Sequence, residues 1–107
     1  MGANSISIQE QGTVGSASGI KIAAATVLAA NANRLWWGVI NLNNATVYVK
    51  MGAAASAADF HVPLKAATAV DDGSGGAYFD STYKGIVSVA QAAGNPRVSV
   101  IEIERAF

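Results

Sequence analysis

Cysteine is absent from the 107 residues, histidine occurs once (His61), and there are only two prolines. Without cysteine there is no disulfide framework and no thiolate nucleophile. A single imidazole cannot build a histidine metal cluster. Charge is scarce too: seven Lys/Arg and seven Asp/Glu make 13% of the chain and cancel to zero, against about 25% in an ordinary soluble domain. The basic residues stand singly, so the clustering that marks a nucleic-acid surface is missing. No apolar run approaches the roughly 20 residues of a membrane-spanning helix. These absences argue against an enzyme, a cofactor, a nucleic-acid partner and a membrane partner.

Half the residues are apolar, and the polar remainder is mostly Ser, Thr, Asn and Gly. A small monomer normally keeps itself dispersed with mixed charge. A neutral, small-residue surface suits contact with other protein, which predicts an oligomer or a subunit of an assembly. The start, Met1-Gly2-Ala3-Asn4-Ser5-Ile6, lacks a basic stretch leading into an apolar one, so no signal peptide is expected. Ile6 stands where N-myristoylation requires Ser or Thr. The expectation is a chain made in a cytoplasm.

The apolar pattern reads as short strands. Residues 1–19 are rich in Gly, Ser and Gln with one alternating piece at Ile6 and Ile8. They read as an arm held by a neighbouring subunit or paired at an edge of its own domain. The domain proper is placed at 20–107. Ile20–Ala24 and Thr26–Leu28 alternate, and Leu35–Leu42 is apolar on both parities, as in a strand buried on two faces. Asn43–Asn44 and the alternating Thr46–Met51 then predict a tight hairpin. Gly52–Asp59 reads as a loop with at most one helical turn. Phe60–Leu64 carries Pro63, which places it at an edge, and Ala67–Val70 is a further strand. Asp71–Gly76 is a loop, and strands follow at Ala77–Asp80, Gly85–Gln91 and Arg97–Glu104. Eight or nine short strands with turn signals about every ten residues predict an all-β antiparallel sandwich, jelly-roll or Ig-like, with an extended N-terminal arm.

In the last strand Val98 and Val100 share one face, while Ile101 and Ile103 share the other. Either a bulge lies between them or both faces are buried, the second by another subunit with Glu102, Glu104 and Arg105 at its rim. Trp36 and Trp37 are adjacent, so either both indoles are covered within the fold, one by each layer or loop, or one enters the core and the other faces outward, to a protein or a sugar. The candidate contact residues are therefore Trp36, Trp37, Ile6, Ile8, Ile101 and Ile103.

Other groups read as ordinary polar positions. Asp59 lies two residues from His61, on the same strand face. Asp71 and Asp72 resemble a piece of a calcium loop that Asp80 would join, but the EF-hand spacing is absent. Asp72, Asp80, Glu102 and Glu104 are the carboxylates from which a glycosidase pair would have to come. Asn44-Ala45-Thr46 matches a glycosylation triplet, which the turn already explains. No metal or cofactor site is expected.

Several phrases together resemble the small β-rich virion proteins of tailed bacteriophages. They are Asn33-Arg34, the apolar strand ending in Asn41-Leu42, Val47-Tyr48-Val49-Lys50-Met51-Gly52, Phe60–Leu64, Tyr83-Lys84-Gly85-Ile86-Val87 and Arg97-Val98-Ser99-Val100. The likeness covers residues 31–104 and leaves the first 30 unmatched. It implies a capsid decoration (cement) subunit on the virion surface, contacting the major capsid protein and copies of itself, with a trimer favoured. The alternative is a receptor- or carbohydrate-binding sandwich of a tail or head fibre, with Tyr78, Tyr83 and Trp37 as its aromatic candidates.

Overall fold

The computed structural model describes residues 12–106, so Ile6 and Ile8 lie outside the described residues. Within them the fold is all-β: β1 Gly12–Val14, β2 Gly19–Lys21, β3 Ala25–Leu28, β4 Arg34–Asn41, β5 Val47–Met51, β6 Val62–Leu64, β7 Ala77–Asp80, β8 Val87–Ala90 and β9 Val98–Arg105. One sheet has the order β1-β9-β4-β7, with β2 also on β9, and the other has the order β3-β8-β5-β6. All pairings are antiparallel. From β2 onward every connection except β5–β6 crosses between sheets. Each strand of β2-β9-β4-β7 is therefore joined to its counterpart in β3-β8-β5-β6. That order is a jelly roll, which decides between the two sandwich topologies the sequence leaves open.

The core lies between the sheets and is built from strand alternation. Val27, Leu28, Trp37, Val39, Val47, Val49, Leu64, Val87, Val89, Val98 and Val100 fill it. Valine dominates because a β-branched side chain packs well on a pleated, buried face. β6 is an edge strand, as Pro63 requires, since its missing N–H costs nothing there.

Four expectations are corrected or narrowed. First, Asn43–Asn44 does not close a hairpin: β4 and β5 belong to different sheets. The buried Asn41 diverts the chain. Its Nδ2 donates to the carbonyls of Ala45 (2.8 Å), Leu64 (3.1 Å) and Lys65 (3.0 Å), and its Oδ1 accepts the Asn43 amide at 2.9 Å. That set of bonds ties a corner to the end of β6. The returning chain packs so closely that a Cβ at Gly75 would overlap the Asn41 carbonyl oxygen.

Second, of the two readings of the N-terminal residues, 12–21 follow the one that pairs them at an edge of their own domain. β1 and β2 pair with the two ends of β9, and the Gly15 amide and Ser18 hydroxyl bond Glu102 between them. The boundary drawn at 19/20 cuts through β2. Third, Ala67–Val70 is not a strand; the Ala67 and Thr68 amides donate to Asn43 O and Ser74 Oγ. The loop after β5 has no helical turn either, since Ser56 and Asp59 pair as an isolated bridge.

Fourth, Glu102 is not a rim residue and β9 has no bulge against β4. The irregularity sits on β4, between Arg34 and Trp36. It turns Arg34 inward on the same side as Trp37. Arg34 is 1% exposed, and its Nε donates to Glu102 Oε2 at 2.9 Å. Its remaining donors reach the carbonyls of Ala29 (2.7 Å), Gly85 (2.9 Å) and Tyr83 (3.3 Å).

Removing one partner of such a pair leaves an uncompensated buried charge, which costs roughly 3–5 kcal/mol. Arg34→Met is therefore expected to lower unfolding free energy by about that amount in urea titration. Arg34→Met combined with Glu102→Leu should recover part of the loss. A double variant less stable than the single would contradict this account.

Candidate functional site

The two sheets differ in what covers their outer faces. On the second sheet, Ser88 and Ala90 point away from the core yet are buried. The loop after β5 covers them: Ser88 Oγ donates to Gly52 O (2.7 Å) and accepts from the Ala55 amide (2.9 Å). Tyr48 packs on Phe60 with ring centroids 4.6 Å apart. The chain itself therefore covers the part of that face around Ser88, while Thr26 and Pro63 on the same side stay exposed.

The first sheet's outer face has no such cover among the described residues. Register places its side chains in rows, because directly opposed residues in an antiparallel pair point to the same side. Val14, Ile103 and Trp36 form one row, and Ile101, Gly38 and Phe79 the next. Ile20, Ser99, Ile40 and Ala77 form a third. These ten positions carry no charge. Val14, Ile20 and Phe79 are 65%, 57% and 52% exposed, and Trp36, Ile40, Ile101 and Ile103 are half-buried. A contiguous apolar patch of this kind marks an interaction surface.

Three candidate contact residues, Trp36, Ile101 and Ile103, thus lie together on one open face. Trp37 does not. It is fully buried against Tyr78 (ring centroids 5.7 Å) and its Nε1 donates to Asp80 Oδ2 at 3.2 Å. The aromatic candidates for sugar binding are likewise committed inward. Tyr78 and Tyr83 pack on the core, and the Tyr83 hydroxyl donates to Ile86 O at 2.9 Å.

The exposed aromatic that the sequence reading missed is Phe79. Its ring lies against the Gly38 backbone, where any Cβ would overlap it, and meets Trp36 edge-on at 6.1 Å and 64°. Beside this pair is an open depression of about 270 Å³ lined by Trp36, Phe79, Asp80 and Ser81.

The acidic groups are occupied structurally. Asp71 makes a two-pronged pair with Arg97 (2.8 and 2.9 Å), which holds its carboxyl below its ordinary range. Asp72 turns back on its own loop, accepting from Ala69 N, Ser74 N and the Ser74 hydroxyl. Asp59 pairs with Lys50 at 2.6 Å, and His61 Nδ1 accepts the Met51 amide at 3.0 Å. Glu102 and Glu104 share the side-chain amide of Asn31. Among the described residues no three His, Asp or Glu side chains converge as metal ligands would.

Asp80 borders the depression beside Trp36 and Phe79. The Tyr83 amide is the chief cause holding its carboxyl below its ordinary range. Burial opposes this, while Thr82 and the Trp37 indole add to it. A carboxyl lowered in the folded state stabilises the fold above its unfolded value and loses that contribution as pH falls through the folded one. The stability gap between wild type and Asp80→Asn should therefore narrow below about pH 4. Thermal melts across that range check it, and a gap independent of pH would contradict it.

No family model, curated protein or solved structure matches this chain.

Proposed function

We propose that this protein is a virion structural subunit, a capsid decoration protein that packs on the major capsid protein and on copies of itself. The observation that carries the reading is the uncovered outer face of the first sheet, where three adjacent rows of side chains carry no charge, beside a second sheet that its own loop partly covers. The low charge of the whole chain supports it, because identical neighbours in a shell must not repel. So does the resemblance of residues 31–104 to phage virion proteins.

On this reading Ile101 and Ile103, flanked by Val14 and Ile20, form the centre of the contact, and Trp36 stands at its border. Burial of apolar area contributes roughly 25 cal/mol per Å², and ordering entropy offsets much of it at each site. Repetition around a shell makes modest contacts collectively strong. The work is done by occupancy alone. The subunit acts at the capsid surface, in an oligomer for which three-fold association is the favoured form.

Co-sedimentation of the protein with undecorated capsids tests this directly. Wild type should bind stoichiometrically, and Ile103→Glu should weaken binding by about tenfold or more, since a charge would be buried at the contact centre. The variant's melting temperature should change little, because Ile103 points away from the core. Failure of wild type to bind capsids would remove the proposal.

A further inference from the structure

We infer that the depression between Trp36 and Phe79 is a binding site for one pyranose ring of a neutral saccharide. This goes beyond the decorating role and uses the β4–β7 half of the open face. The Val14, Ile20, Ile101 and Ile103 half is left to protein contact.

Three features together select this ligand class. The first is a stacking platform. Gly38 lets the Phe79 ring settle against the sheet, and at 52% exposure the ring keeps its outer side open, with Trp36 forming an edge-on wall. Such a surface suits the apolar C–H face of a sugar ring.

The second is spare hydrogen-bonding capacity at the rim. Ser81 Oγ has no partner among the described residues. Asp80 Oδ2 takes the Trp37 indole and the Thr82 and Tyr83 amides, whereas Oδ1 takes only the Thr82 hydroxyl, at 3.1 Å. The Asp80 carboxylate turns toward Trp37 on the inner side of the sheet, so the free group at the rim is Ser81 Oγ, which both donates and accepts.

The third is size and charge. A depression of about 270 Å³ falls just under the roughly 300–1,000 Å³ of sites that hold drug-sized ligands, so it suits a single ring. No Lys or Arg lines it, and the nearest charge is negative, which disfavours phosphates and sugar acids. Asp80 is already surrounded by donors and the two rings meet edge-on. Neither feature makes the facing aromatic cage that holds a cation.

The test is titration of the full chain with maltotriose, cellotriose and chitotriose, read by saccharide-observed saturation-transfer NMR and by shifts of residues 79–82. At least one trisaccharide should bind saturably in the millimolar range. Phe79→Ala should weaken it by about tenfold, and Ser81→Ala should weaken it without changing the melting temperature. Both variants should still co-sediment with capsids, while Ile103→Glu should still bind the sugar, which separates this site from the decorating face. Silence from all three trisaccharides would overturn the inference. So would binding unaffected by Phe79→Ala, or binding of a lysine- or arginine-containing peptide in place of the sugars.

Discussion

The ion pair between Arg34 and Glu102 sets the parity of the whole first sheet. Arg34 and Trp37 are three residues apart, so an uninterrupted strand would place them on opposite faces. The irregularity at Leu35 removes that conflict and allows Arg34, Trp37, Val39 and Asn41 all to point inward. The guanidinium then closes one end of the sandwich by holding Ala29, Tyr83 and Gly85 as well as Glu102. A buried pair of this kind adds little net stability over apolar replacements, but it penalises every register that leaves either charge alone. Its contribution here is specificity of register.

The open surface follows from that choice. With Trp37 inside, Trp36 must face outward, and Ile103 and Val14 align with it across two strand pairs. Gly38 opposite Phe79 lets an aromatic ring lie on the sheet. On the second sheet Ser88 fastens the loop after β5 across part of the outer face. One sandwich therefore has a partly covered side and an open one. That asymmetry is the physical basis for the proposal that the open side is a contact surface.

Much of the architecture was legible in the sequence. Valine alternation located β5, β8 and β9, Pro63 marked an edge, and the two parities of β9 placed Ile101 and Ile103 on the face opposite Val98 and Val100. What escaped has local causes. Leu35-Trp36-Trp37 is apolar throughout, so no alternation reveals the inserted residue, and nothing in the sequence said which indole turns in. Asn41 looked like the end of a strand, yet its buried amide serves carbonyls more than twenty residues away and converts an apparent hairpin into a crossover. Phe79 was missed because Tyr78, with its polar tip, looked the better binding residue. Parity assigned by β4 pairing sends Tyr78 to the core and Phe79 to the surface.

Hydroxyl-radical footprinting of the free protein and of the protein on assembled capsids tests the central claim most directly. The account predicts that Val14, Ile20, Ile101 and Ile103 lose reactivity on the particle, while Tyr48 and Phe60 on the second sheet keep theirs. Unchanged reactivity of the first-sheet residues, or protection confined to the second sheet, would contradict it.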